Sequence, residues 1–276
     1  MGDHHGSHQA GPSQVGRWDA GLTRHVMDLL RPLVKVYHRS EVRHLDRIPA
    51  GRSLLVSNHS GGLVTPDFAV FAVDYYQHFG YDRPLYVLAH DSFFHGPAAA
   101  FLNHLGVVAA NDGNAAAALA ADATVLLFPG GDIDVYRPSL NENVIDFGGR
   151  TGYVTAAVDA RAPIVPVVSI GGQETQFYLT RGRRLAHALG LTRLERRLFR
   201  TDILPVSLGL PFGLSVLVPV NMPLPSKIVA EVLPPIDATS QWTGEADIAK
   251  IDGRVRREMQ AGLERLARRR RFPVFG

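Results

Sequence analysis

Hydrophobic residues recur along this chain with two different spacings. Trp18, Leu22, Val26, Leu29, Leu30, Leu33, Val36 and Tyr37 form the stripe of a helix, which Pro32 is placed to bend or interrupt. Beyond it, short continuous apolar runs alternate with helical stretches. Ser53–Ser57, Leu85–Ala89, Gly106–Ala110, Thr124–Phe128 and Ile164–Ile170 read as buried strands. Segments 66–79, 97–104, 114–121 and 149–160 read as the helices between them. This order predicts an α/β protein whose mixed, largely parallel sheet is flanked by helices. Pro166 falls inside the last strand and predicts a sheet edge or a bulge there.

The pattern changes after residue 180. An arginine-rich helix over 183–199 leads into Ile203–Val220, an apolar stretch broken by Pro205, Pro211 and Pro219. That stretch reads equally as a membrane-dipping loop or as ordinary strands. A strand follows near Ile228–Leu233. The final helix, 245–271, carries Val255, Met259, Leu263 and Leu266 on one stripe and arginines elsewhere. Such a helix either docks on the protein or lies on an anionic bilayer, and docking is the safer expectation. Residues 1–17 are polar and read as a mobile tail, leaving 18–276 as a single domain with its core at about 36–236. No run of about 20 uninterrupted apolar residues exists.

Composition narrows the function classes. With 276 residues, 46% of them hydrophobic, one large core is available. The absence of cysteine excludes disulfides, thiolate metal sites and a cysteine nucleophile. The net charge of +3 hides two basic blocks, 181–200 and 254–271, each carrying +6 on an otherwise acidic body. They point to a surface that meets phosphate groups. The plainer alternative is two solvated helix faces, and nucleic acid is the weaker reading because no nucleic-acid motif accompanies the arginines.

Two strand ends carry the candidate chemistry. In Val56-Ser-Asn-His-Ser-Gly-Gly-Leu-Val-Thr-Pro-Asp67 a buried strand runs into a glycine-containing turn and then a helix, with Thr65, Pro66 and Asp67 suited to its start. Ligands of α/β sheets gather at such carboxyl ends. His59 is thereby placed at a cleft, where it can remove a proton from a hydroxyl, and Asp67 is the acid nearest in sequence to orient it. The plainer alternative is a turn histidine and a helix-dipole acid. In Thr124-Val-Leu-Leu-Phe-Pro-Gly-Gly-Asp-Ile-Asp-Val-Tyr-Arg137, Gly130 and Gly131 let backbone amides approach an anion or oxyanion, and Arg137 offers a forked contact to phosphate. His90, His95 and His104 lie where a cleft could run, with packing as their plainer role. No Gly-x-Ser-x-Gly elbow occurs, which argues against a serine hydrolase.

Taken in order, Asn58-His59…Asp67, Phe128-Pro129-Gly130-Gly131 and Pro163-Ile164-Val165-Pro166-Val167 resemble the blocks of the glycerolipid acyltransferase superfamily. The Phe-Pro-Gly-Gly form is more similar to the monoacylglycerol/diacylglycerol acyltransferase-like branch. The resemblance implies an O-acyltransferase working at a membrane, on its cytoplasmic face and peripheral or monotopic. Acyl-CoA or acyl carrier protein would be the donor, a lipid hydroxyl the acceptor, and no metal or organic cofactor would take part. It implies His59 as general base, Asp67 as its support, and Asn58, Gly61, Gly62, Gly130, Gly131 and Arg137 as substrate-binding residues. A histidine-base thioesterase or a non-catalytic lipid binder of the same fold is the alternative. The chain departs from the family pattern in three places. Seven residues rather than four separate His59 from Asp67, Gly130-Gly131-Asp132-Ile133 replaces the usual Glu-Gly-Thr-Arg, and Asn111 stands where an arginine is common. Losing two phosphate-binding arginines favours an acceptor without a terminal phosphate.

Overall fold

The computed structural model describes residues 14–59, 66–94, 96–135, 143–175, 177–180, 206–209, 213–216, 221–238, 245–270 and 272. Its main sheet has seven strands in the order β1-β10-β6-β2-β5-β3-β4. These are β1 (Glu41–Arg43), β2 (Ser53–Ser57), β3 (Leu85–Ala89), β4 (Val107–Ala109), β5 (Thr124–Leu127), β6 (Ile164–Ile170) and β10 (Val229–Val232). The run from β6 to β4 is parallel throughout. β10 then pairs antiparallel with β6, and β1 parallel with β10, which makes the sheet mixed but mostly parallel as the sequence implied.

Strand residues alternate between two apolar layers, as the two-residue period of a pleated strand requires. Leu54, Val56, Val125 and Ile164 face one core, together with Val154, Ala157, Val255, Met259 and Leu263 from the helices on that side. Leu55, Leu126, Val165 and Val167 face the other, built with Val70, Phe71, Val73, Tyr75 and Met27. Helices α4 (Asp112–Ala120), α6 (Gly152–Asp159) and α7 (Glu245–Arg269) serve the first layer. Helices α1 (Ala20–Pro32) and α2 (Pro66–Phe79) serve the second, while α3 (Pro97–His104) packs by β4 and α5 (Gly131–Val135) is a single short turn after β5. α2 is apolar nearly all round, and accordingly it is the most deeply covered of them.

α1 starts where the Asp19 carboxylate caps Leu22 N–H at 2.8 Å. Pro32 does not break it. The chain widens into one π-helical turn, Leu33–Tyr37, which absorbs the proline's missing hydrogen bond. Met27 and Val34 point into the core, whereas Leu29 (80% exposed), Leu33 and Val36 (76% exposed) face outward. The last four residues of the expected tail are tied to the sheet: Gln14 Oε1 accepts from Ala109 N–H at 2.8 Å, and Gly16 N–H donates to the Tyr86 hydroxyl at 3.0 Å.

One expectation needs correcting. Pro166 lies in a central strand, not at an edge. Its carbonyl accepts from Leu233 N–H at 2.8 Å, so its nitrogen also faces β10, just past that strand's last residue. The missing donor therefore removes only the closing bond of the ladder. The amphipathic C-terminal helix resolves to docking: Val255, Met259, Leu263 and Leu266 are all buried, and Gly262 lets α7 approach Leu233 and Val168 closely. Within Ile203–Val220, β8 (Val206–Gly209) and β9 (Gly213–Val216) form a hairpin that β7 (Phe177–Thr180) extends to a small antiparallel sheet. At the end of α7, Arg270 pairs with Glu174 in the turn after β6 and reaches Ser226 Oγ and the Lys227 carbonyl, each at 3.2 Å. The arginine-rich segment 183–199 lies outside the described residues. Among the described residues no helix is long and apolar enough to cross a membrane.

Candidate active site

Adjacent strands β6, β2 and β5 run parallel, so their carboxyl ends meet on one edge of the sheet. Each end delivers polar or aromatic groups to one place. β2 is followed by Asn58 and His59, β5 by Phe128, and β6 carries Ser169 one residue before its end. Helix α2 starts over the same edge and brings Asp67 in its first turn, where the helix dipole favours a carboxylate.

The His59 imidazole lies flat on the Phe128 ring, with centroids 4.2 Å apart and planes 9° from parallel. Its Nδ1 stands 3.7 Å from Asp67 Oδ2, within ion-pair range and longer than a hydrogen bond. Seven intervening residues thus still bring acid and imidazole together. Asp67 is buried, and its other oxygen accepts the Ser169 hydroxyl at 3.1 Å. Asn58 binds the same serine's backbone twice. Its Nδ2 donates to the Ser169 carbonyl and its Oδ1 accepts from Ser169 N–H, both at 2.9 Å. Asn58 therefore clasps β2 to β6 beyond the regular ladder and carries Ser169, and through it Asp67, at a fixed distance from His59. Its side chain is 1% exposed and faces the scaffold.

The Phe128-Pro129-Gly130-Gly131 turn is tight for reasons visible atom by atom. Gly131 has φ +48°, and its N–H closes the turn on the Phe128 carbonyl at 3.2 Å. A Cβ on Gly130 would collide with Asp134 Cβ and stand 2.9 Å from the Asp146 carbonyl. Arg150, just before α6, donates to the carbonyls of Pro129 (3.0 Å) and Gly130 (2.6 Å). The two glycines thus serve the turn's shape and the close seating of α5 above it. Asp134 on α5 is fully buried, and its Oδ2 accepts the His59 backbone N–H at 2.5 Å. Gly61, Gly62 and Arg137 lie outside the described residues, as does His95.

A second histidine stands behind the site. His38 is buried, and its Nδ1–H donates to the Ser226 carbonyl at 3.2 Å. Burial holds its pKa below the ordinary value, against the opposing pull of the Ser226 bond and the Asp67 charge. His90 and His104 take the plainer role: His90 caps the turn Asp91–Phe93 through Ser92, and His104 Nδ1 bonds the Arg17 carbonyl at 2.8 Å. Asn111 caps α4 through Asn114 N–H at 2.8 Å. Asp134, Ser169 and His38 were not singled out from the sequence. For Asp134 and Ser169 the available signal was position, since each lies within a few residues of a strand's carboxyl end.

Comparison with known proteins bears on what this edge does. A family model described as Acyltransferase matches residues 39–170, which contain both β2 and β5 ends and the whole of β6. An uncharacterized protein of Mycobacterium tuberculosis is 31% identical over 263 residues, covering 91% of this chain and 68% of its own. The chain belongs to the glycerolipid acyltransferase superfamily. Two mammalian proteins, each called DGAT1/2-independent enzyme synthesizing storage lipids, are also similar to this superfamily member. The bovine one is 29% identical over 265 residues (92% of this chain, 72% of its own), and the mouse one is 29% identical over 222 residues (78% and 62%). Among solved structures, the 1-acyl-sn-glycerophosphate acyltransferase PlsC of Thermotoga maritima matches with a TM-score of 0.52 over 89% of this chain and 81% of its own. At 16% identity that likeness shows a shared acyltransferase fold. Within the superfamily the site described above is the edge that carries Asn58-His59…Asp67 and Phe128-Pro129-Gly130-Gly131.

Proposed function

We propose that this acyltransferase moves a fatty acyl group from the thioester of acyl-CoA or acyl carrier protein to the hydroxyl of a neutral lipid, with His59 as general base. The observation carrying this reading is the meeting of His59 and Asp67 at 3.7 Å across an unusually long loop. With Nδ1 turned to the buried carboxylate, Nδ1 keeps its proton and Nε2 is the basic nitrogen. Nε2 takes the acceptor's hydroxyl proton as that oxygen attacks the thioester carbon. The resulting imidazolium is stabilised by Asp67 and returns the proton to the sulfur when the carbon–sulfur bond breaks. Phe128 beneath the ring fixes its plane.

A neutral acceptor is supported by two observations. Asn111, where the family often has an arginine, is engaged as a helix cap. The mammalian relatives are named for storage-lipid synthesis. A peripheral position on the membrane is supported by the outward-facing Leu29, Leu33 and Val36 of α1 and the following turn.

Transfer of labelled palmitate from palmitoyl-CoA to a panel of glycerides, lysophospholipids and other lipid alcohols tests the reading. We expect a labelled neutral lipid, lost by about 100-fold or more in His59→Ala. Free fatty acid as the only product would replace it with a thioesterase. Unimpaired transfer by His59→Ala would remove the base.

A further inference from the structure

We infer that Asp134 is a positioning residue for His59: its buried carboxylate holds the histidine's backbone and so sets where the imidazole stands between Asp67 and Phe128. This rests on the reading of His59 as the base. Three observations lead to it. Asp134 is 0% exposed, so it is shut off from solvent and acts through what it touches inside the protein. Its Oδ2 accepts the His59 N–H at 2.5 Å, joining segments 75 residues apart in sequence. And the turn before it is shaped around it, since any side chain at Gly130 would occupy the place of the Asp134 Cβ and Cγ.

The placement accounts for the geometry of the histidine. His59 lies past the end of β2, where the neighbouring strands no longer fix the backbone. A charged acceptor on its N–H is stronger than a neutral carbonyl would be, and it fixes the Cα from which the ring projects. The segment that provides this anchor also provides Phe128, six residues earlier, against the ring's face. Asp67, held by Ser169, meets the ring's edge. Among the described residues Asp134, Phe128 and Asp67 locate the imidazole, and the first two come from the segment running from the end of β5 into α5. On this account Gly130 is there to admit Asp134, while Arg150 braces the turn by holding its carbonyls. A misplacement of the ring by about 1 Å is enough to lower a rate roughly 100-fold.

The test compares Asp134→Ala and Asp134→Asn with wild type in the palmitoyl transfer assay, alongside ¹⁵N-histidine NMR of the His59 ring in each full-length protein. Asn keeps an acceptor for the His59 N–H and Ala removes it. We expect Asp134→Ala to lower kcat about 100-fold with KM within a few-fold. Asp134→Asn should recover most of that, to within about ten-fold of wild type, because its amide oxygen makes a weaker but similar bond. The His59 ring signals should move in Asp134→Ala and stay near the wild-type positions in Asp134→Asn. Wild-type kcat in Asp134→Ala, or an equal loss in both variants, overturns the inference. If Asp134→Ala does not fold, the Asp134→Asn spectrum decides: retained ring signals support the role and displaced ones overturn it. If no protein transfers acyl groups, the functional reading fails while the NMR comparison still settles whether Asp134 places the ring.

Discussion

At the scale of single residues, the site is a set of side chains that each fix another. Ser169 illustrates it: its hydroxyl satisfies one oxygen of Asp67 and leaves the other for His59. We expect Ser169→Ala to lower kcat on the order of ten-fold with a stability loss of about 1 kcal/mol, measured by kinetics and urea unfolding. His38 gives a pH dependence whose sign follows from its lowered pKa. The folded protein holds His38 neutral while the unfolded chain takes up a proton below about pH 6.5. Its contribution is therefore complete above that value and lost as pH falls through the window beneath it. Comparing urea midpoints at pH 7.5 and 5.0, the drop should be smaller in His38→Gln than in wild type. His59, Asp67 and the double glycine were legible in the sequence because each sits in a local pattern of strand, turn and helix. Asp134 and Ser169 were not, because what marks them is a partner 75 or 102 residues away.

At the scale of elements, most strands and helices followed from apolar spacing, and misplacements fell at their ends, where caps decide. α4 begins at Asp112 rather than 114 because Asn111 supplies the cap, a signal that periodicity does not contain. β1 was missed since three half-exposed residues, Glu41–Arg43, show no alternation to read. The prolines of 203–220 left a membrane-dipping loop and strands equally open, and β8 and β9 are strands. Both amphipathic helices were visible, and the structure gives them opposite uses. α7 buries its apolar stripe against the sheet and turns arginines outward. α1 buries one stripe and leaves a second, Leu29 with Leu33 and Val36 on the following turn, uncovered. If that stripe meets lipid, Leu29→Glu/Val36→Glu should lower sedimentation with anionic vesicles about ten-fold or more, given roughly 1.5–3 kcal/mol for each buried large apolar side chain. Its melting temperature should stay within a degree or two, since neither side chain is in the core. Unchanged sedimentation would take the membrane contact away from α1.

At the scale of the whole molecule, two apolar layers share one sheet, and the chain's far end locks the edge where the site lies. The Arg270–Glu174 pair is buried on both sides. Arg270→Met would leave Glu174 charged and enclosed, and we expect a loss of about 3–5 kcal/mol by urea unfolding. Glu174→Gln/Arg270→Met should regain much of it. The sheet order has a further consequence for how the protein is made. β6 bears Ser169, yet one of its flanks is filled by β10, and β1, near the start of the chain, also pairs with β10. About 60 residues separate the end of β6 from the end of β10, which takes a ribosome roughly 3–12 s to add. Until then β1 has no neighbour and β6 has an open edge, so the nascent chain carries an incomplete sheet with His59 already translated. The open β6 edge is what a chaperone or a wrong strand would meet first.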